Sequence, residues 1–253
     1  MATEPQTVGA DAVGNVGQPA VTVRTKSFVL GQTVASRAVE LNAIAGFFGD
    51  PGTGKTHAAR HFCATSPVEV IYITSSPSPQ LKEIYEELLT QTLGELRTGS
   101  VRDLRRLCAQ VLSERRRVVV IDECQHLSYL WHQQLRTLHD HPDAQFSMLL
   151  VGGTNAERTL KRDPQLWSRV KMRVHFEALE GDELAEALAA MHPVFANTDP
   201  QLLQDIDRKS CRGNLREWTT FLELATPLLR GSRHPDRLTT KVVRAVFTLR
   251  GVS

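Results

Sequence analysis

Gly49-Asp50-Pro51-Gly52-Thr53-Gly54-Lys55-Thr56 fits the spacing G-x-x-x-x-G-K-[ST], and it follows the apolar run Ile44-Ala45-Gly46-Phe47-Phe48, which reads as a buried strand. The spacing has a physical logic. Three glycines permit a tight loop whose backbone N–H groups turn inward as an anion nest, and a helix starting near Lys55 adds the positive end of its dipole. Lys55 then reaches the β and γ phosphates of a nucleoside triphosphate, while the Thr56 hydroxyl is placed to ligate Mg²⁺. Gly49 to Thr56, with His57 after them, form the expected nucleotide-binding stretch.

The second decisive stretch is Val118-Val119-Val120-Ile121-Asp122-Glu123, β-branched residues ending in two carboxylates, a Walker B pattern. A continuous apolar run suits a central parallel strand covered on both faces, and the C-terminal end of such a strand is where an open α/β sheet puts its ligand. There Asp122 would hold Mg²⁺ through water, and Glu123 would orient and deprotonate the attacking water. The run also has a competing reading, a buried strand entering a solvated Asp-Glu turn. Its pairing with the glycine loop upstream favours the nucleotide site.

A chain of 253 residues can bury a full core, and its length suits one α/β unit with a smaller neighbour. The formal charge of +2 demands no nucleic-acid partner, so any such contact has to rest on a local patch. Cys63, Cys108, Cys124 and Cys211 form no C-x-x-C pair, which argues against a disulfide framework or zinc site and for a reducing compartment. No apolar stretch approaches about 18 residues, and the N-terminus lacks the charged and apolar regions of a leader. The chain is expected to be soluble and cytoplasmic, without a membrane partner.

Residues 1–26 lack periodicity and read as a flexible arm. Residues 27–178 carry the nucleotide-binding α/β core. The spacing predicts a short helix from Thr33 to Asn42, strands at Val68 to Thr74, Phe146 to Gly152 and Val170 to Phe176, and helices at Leu81 to Leu89 and Val101 to Glu114. With the strands before the loop and at Val118, this makes five strands separated by helical segments, a parallel three-layer sheet. From Gly181 onward strand signals stop, and residues 179–253 read as a helical lid.

This ordering resembles the AAA+ ATPases: a P-loop NTPase three-layer sheet with a C-terminal helical lid, in which Leu166-Trp167-Ser168-Arg169 precedes the fifth strand and Gly213-Asn214-Leu215-Arg216-Glu217 opens a lid helix. Within that class, Asp122-Glu123-Cys124-Gln125-His126-Leu127, Leu135-Arg136-Thr137-Leu138-His139-Asp140 and Leu150-Val151-Gly152-Gly153-Thr154-Asn155 are similar to the B-type transposition ATPases, the Mu B, TniB and TnsC-like proteins. The resemblance implies ATP and Mg²⁺ as cofactors and ATP hydrolysis as the reaction. It also implies a sensor 1 role for Thr154 or Asn155, an arginine finger at Arg169 acting on a neighbouring subunit, and a sensor 2 role for Arg216. A finger in trans ties hydrolysis to a homo-oligomer, a ring or filament, and the family implies duplex DNA bound without sequence preference and a DDE transposase as partners.

A local cationic patch exists. Arg102, Arg105, Arg106, Arg115, Arg116 and Arg117 are candidate phosphate contacts, with Lys82 and Lys161-Arg162 weaker ones. The competing reading is a solvated amphipathic face, since Val101, Leu104, Leu107, Val111 and Leu112 occupy the other side of the same helix. His57 and His61 have helical metal-ligand spacing but no acidic partner between them, so they read as ordinary histidines with respect to metal. Two other functions use the same loop. A helicase loader or remodelling adaptor moves a protein partner, and a small-molecule kinase would need neither Glu123 nor an arginine before the fifth strand.

Overall fold

The computed structural model describes residues 22–252; of the expected arm, residues 1–21 lie outside that span. The first helix, α1 (Lys26–Glu40), begins earlier than the spacing from Thr33 predicts. The Thr25 hydroxyl accepts the Phe28 N–H at 3.1 Å and caps the helix there. Gly31 lets α1 lie close on the sheet, since a Cβ at that position would come within 3.2 Å of the rings of Phe47 and Phe176. Next come β1 (Ile44–Gly49), α2 (Lys55–Thr65) and β2 (Glu69–Thr74). The amphipathic α3 (Leu81–Leu93) buries Ile84, Tyr85, Leu88 and Leu89, and α4 (Val101–Glu114) buries Leu104, Cys108, Val111 and Leu112. β3 (Arg117–Asp122) is buried along its whole length. A 3₁₀ turn at Cys124–His126 and α5 (Tyr129–His139) lead into β4 (Phe146–Gly152). Then α6 (Thr154–Lys161) and α7 (Pro164–Trp167) precede β5 (Val170–Phe176).

The five strands form one sheet in the order β2-β3-β4-β1-β5, every neighbouring pair parallel. Side chains alternate between its faces. Ile44 and Phe48 of β1, Val119 and Ile121 of β3 and Met148 and Leu150 of β4 pack with α3 to α7. Ala45 and Phe47, Val118 and Val120, and Leu149 and Val151 pack with α1 and α2 on the other side. Burial of each large apolar side chain contributes about 1.5–3 kcal/mol, which gives the loops at the sheet's C-terminal edge a rigid base. From β1 the chain crosses to β2 at the far edge and works back through β3 and β4, then places β5 on the other flank of β1. The strand order therefore reverses at β1, and an open α/β sheet binds ligands at the carboxyl end of such a strand.

After β5 the described chain is helical: α8 (Gly181–Met191), α9 (Pro193–Ala196), α10 (Pro200–Ile206), α11 (Leu215–Arg230) and α12 (Thr240–Arg250). Their shared core begins at Leu179 and centres on Phe195, Trp218 and Phe221. The Trp218 indole N–H donates to Asp207 Oδ1 at 3.0 Å, in the π-helical turn Asp207–Cys211 that extends α10. That turn ends in two left-handed residues, Arg212 at φ +50° and Gly213 at φ +68°. A Cβ on Gly213 would lie 2.2 Å from the Leu179 carbonyl oxygen, so the bare backbone lets the start of α11 swing over the phosphate loop. No helix among the described residues is long and apolar enough to cross a membrane.

Candidate nucleotide-binding site

The loop leaving β1 uses its glycines as backbone devices. Gly49, Gly52 and Gly54 have φ of +145°, +83° and +99°, and a Cβ on Gly49 would sit 2.1 Å from the Phe176 carbonyl oxygen of β5. Gly54 is the N-cap of α2 and supplies no side-chain cap, so the first N–H groups of that helix are left for an anion. Lys55 is 8% exposed, and its Nζ donates to the Asp50 carbonyl oxygen at 2.6 Å; the Thr53 hydroxyl donates to the same oxygen at 2.8 Å. Burial lowers the pKa of the Lys55 ammonium, against the opposing pull of Glu123, Asp122 and Asp50.

Across from the loop lies the end of β3. Asp122 is buried; its Oδ2 accepts the Tyr72 hydroxyl at 2.7 Å and its Oδ1 accepts the Glu123 N–H at 2.9 Å. Burial, then the bond to Asp122, pushes the Tyr72 hydroxyl above its ordinary range and keeps it a donor. Glu123 stands in the left-handed region at φ +56°, ψ +37°, where the chain turns into the 3₁₀ segment.

The sequence-predicted residues separate into two groups. Phosphate-loop residues Pro51 to Thr56, His57, Asp122, Glu123 and Arg216 line one cavity of ≈ 480 Å³, a volume suited to a nucleotide-sized ligand. Arg216 arrives there on the first turn of α11, whose N-cap Asn214 donates from Nδ2 to the Pro51 carbonyl oxygen at 2.6 Å, while the Arg216 N–H reaches the Gly52 carbonyl oxygen at 3.3 Å. His57 Nε2 lies 3.3 Å from the Thr22 hydroxyl, and burial, then His61, lowers its pKa. Thr154 and Asn155 start α6 and do not line the cavity. The Thr154 hydroxyl donates to Asp50 Oδ1 beside the loop, and the Asn155 side-chain oxygen accepts Arg158 from its own helix at 2.9 Å. Arg169 also lies away from the cavity, paired with Asp140 and partly exposed.

The sequence assigns no contact role to the other lining residues. Val23, Phe28, Phe176, Met191 and Leu215 give the cavity an apolar wall, and Gln125, Gly152 and Gly153 close it near Glu123. No group of three or more His, Cys, Asp or Glu side chains able to hold a metal occurs among the described residues. Mg²⁺ is commonly held by one or two protein oxygens together with phosphate and water. Asp122 and the cavity-lining Thr56 supply such a set beside the phosphate loop.

The cationic patch needs a correction. Arg117 is 2% exposed and points inward: Nε donates to Glu69 Oε2 at 2.8 Å, and Nη1 donates to the Val111 carbonyl oxygen. The cause is strand register, since Glu69 on β2 is the direct partner of Arg117 on β3. Arg115 pairs with the same Glu69 oxygen at 2.7 Å. Arg102, Arg105, Arg106 and Arg116 are exposed. Lys82 pairs with Glu86 at 3.1 Å and Lys161 with Glu157 at 2.6 Å.

The chain is similar to known proteins in sequence and in fold. The family model described as an AAA domain matches residues 41–160. The chain is 32% identical over 140 residues to the Mu-like prophage FluMu DNA transposition protein B of Haemophilus influenzae, across 51% of this chain and 47% of that protein. It is 27% identical over 248 residues to the ATP-dependent target DNA activator B of Escherichia phage Mu, across 93% and 75%. The chain thus spans under half the length of the Haemophilus relative. Among solved structures, Cdc6p of Pyrobaculum aerophilum superposes with a TM-score of 0.75 at 17% identity, covering 92% of this chain and 69% of that one. ORC2 of Aeropyrum pernix gives 0.64 at 18%, covering 88% and 66%, and RuvB of Thermotoga maritima gives 0.63 at 18%, covering 90% and 70%. These structural likenesses carry the fold alone. Joined to the sequence matches, they give the chain the AAA+ P-loop fold and a sequence similar to the Mu B-type transposition proteins.

Proposed function

We propose that this protein binds and hydrolyses ATP with Mg²⁺, assembles in its ATP-bound form on duplex DNA without sequence preference, and there recruits or activates a DDE transposase. The observation that carries the reading is the convergence on one cavity of the loop N–H groups, Lys55, the Asp122–Glu123 pair and Arg216 from the helical unit. Lys55 and the first turn of α2 bind the phosphates; Thr56 and Asp122 hold the metal; Glu123 orients water and accepts its proton. The apolar wall of Val23, Phe28, Phe176, Met191 and Leu215 suits a purine face. Arg216 contacts the terminal phosphate and makes the lid angle depend on the nucleotide. Thr154 senses the phosphate through its hydrogen bond to Asp50 of the phosphate loop, and residues 27–178 and 179–253 act as the core and lid of this switch.

Arg169, outside its own subunit's cavity and held there by Asp140, serves a neighbour's site when that pair is released, so hydrolysis requires assembly. Similarity to a DNA transposition protein B and to a target DNA activator B supports the DNA and transposition side of the reading. The test is sedimentation and ATP turnover with and without duplex DNA. Wild type should assemble only with ATP and Mg²⁺ and turn over faster on DNA. Glu123→Gln should retain ATP and remain on DNA without turnover. A monomer with a concentration-independent specific rate and no response to DNA removes the reading.

A further inference from the structure

We propose that Gln125 is a positioning residue for ATP hydrolysis, fixing the direction of the Glu123 carboxylate and tying it to the end of β4. The proposal rests on the reading that Glu123 orients the attacking water. Its starting point is a small chain of hydrogen bonds beside the cavity. Gln125 Nε2 donates to Glu123 Oε2, and Gln125 Oε1 accepts the Gly153 N–H at 3.1 Å.

The residue type matters. A neutral amide can donate at one end and accept at the other, which is what a carboxylate on one side and a backbone N–H on the other require. Reversing the amide would set its N–H groups against the Gly153 N–H and its oxygen against the carboxylate, so the two partners fix its orientation. A glutamate there would repel Glu123, and a methionine of similar length would satisfy neither group. Among the described residues Glu123 Oε1 accepts no hydrogen bond, so one carboxylate oxygen is held and the other remains for water.

The surroundings are shaped around this side chain. Gly152, the last residue of β4, is bare at the place Gln125 passes: a Cβ there would lie 2.7 Å from Gln125 Oε1, 2.9 Å from Cys124 Sγ and 2.4 Å from Ala156 Cβ. Glu123 itself is held in a left-handed turn, a conformation disfavoured for a non-glycine residue. That turn brings position 125 back alongside the carboxylate. On the other side, the residue after Gly153 donates to Asp50 of the phosphate loop. The carboxylate, the end of β4 and the loop are thus linked through Gln125, Gly153 and Thr154, and a shift of β4's end would redirect the base.

The test is Gln125→Met, which preserves length and removes both bonds. Turnover should fall roughly 10- to 100-fold, the scale of losing the alignment of a reacting group, with the dissociation constant of a fluorescent ATP analogue and the melting temperature nearly unchanged. Added to Glu123→Gln, the same substitution should cost nothing further, because Gln125 acts only through Glu123. Gln125→Glu should be at least as slow as Gln125→Met. Full turnover in Gln125→Met, or a rate loss matched by weaker nucleotide binding, overturns the inference while leaving the ATPase reading intact. Undiminished turnover in Glu123→Gln instead removes the reading on which both rest.

Discussion

Asp140 holds Arg169 with both carboxylate oxygens, receiving Nε on Oδ1 at 2.5 Å and Nη2 on Oδ2 at 2.6 Å. The Arg169 hydrogen bonds keep the Asp140 carboxyl below its ordinary pKa and raise that of the guanidinium. Because the side chains of Arg169 and Asp140 are 32% and 40% exposed, the pair contributes only ~0.2–1 kcal/mol. The sign follows from the depressed carboxyl: the contribution is present above the unfolded value of about 3.9 and is lost as pH falls through the folded one. Asp140→Asn is therefore expected to lower stability by that amount at pH 7, with the gap from wild type closing as pH falls below about 4. Urea midpoints at the two pH values check it, and a gap that widens in acid contradicts the assignment.

If Arg169 serves a neighbouring subunit, Arg169→Ala should leave ATP affinity within about twofold yet reduce DNA-stimulated turnover by roughly 10³ or more, the range for a finger contributed in trans. Mixing it with Lys55→Ala protein separates the roles. Arg169→Ala subunits lack the arginine and Lys55→Ala subunits lack the phosphate lysine, so mixed assemblies should regain turnover at interfaces where an intact Lys55 meets an intact Arg169. No recovery on mixing, in assemblies verified to contain both, would place the arginine's effect within its own subunit.

Asn214 links the lid to the phosphate loop in two ways, capping α11 through Oδ1 and donating to the Pro51 carbonyl oxygen through Nδ2. Serine keeps the cap but is too short for the second bond. Asn214→Ser should stay within ~0.5 kcal/mol of wild-type stability, since the two residues cap about equally well, whereas Asn214→Ala should lose about 1 kcal/mol. Both should weaken ATP binding some 3- to 10-fold through loss of one hydrogen bond. Denaturation and nucleotide titration of the same three proteins give the answer; an affinity that follows stability rather than the Pro51 hydrogen bond counts against the tether.

The glycine loop is readable because its residues are contiguous and its expected contacts use backbone or a fixed offset. Arg169 and Arg216 are recognisable only by their place before β5 and at the start of a helix. The bridge made by Gln125 cannot be read from sequence, because it needs β3 beside β4 and a left-handed Glu123. The apolar wall is hidden for the same reason: Val23 and Thr25 fall in the stretch that reads as an arm, yet they reach the cavity beside Phe176 of β5. Arg117 misleads for the opposite reason. A run of like charges reads as surface, but the strand begins at its third member and an in-register glutamate draws that one inside.

That inward turn makes the last expectation a comparison within one run of arginines. Arg117→Met leaves the Val111 carbonyl without its partner, while Arg115 still neutralises Glu69, and should cost about 1–3 kcal/mol; Arg116→Ala, exposed, should stay within ~0.5 kcal/mol. The DNA effects should reverse. Arg102, Arg105 and Arg106 project from the solvent side of α4, opposite the buried Leu104, Cys108 and Val111. Removing one arginine–phosphate pair lowers the slope of log affinity against log salt by about 0.9, so the triple alanine variant should lose up to ~2.7 of that slope on any sequence of duplex. Arg115 should matter less, because Glu69 already holds it. Fluorescence anisotropy at several salt concentrations measures the slopes directly. A triple variant with an unchanged slope would move the DNA-binding face off α4, and the buried Arg117 could not take its place.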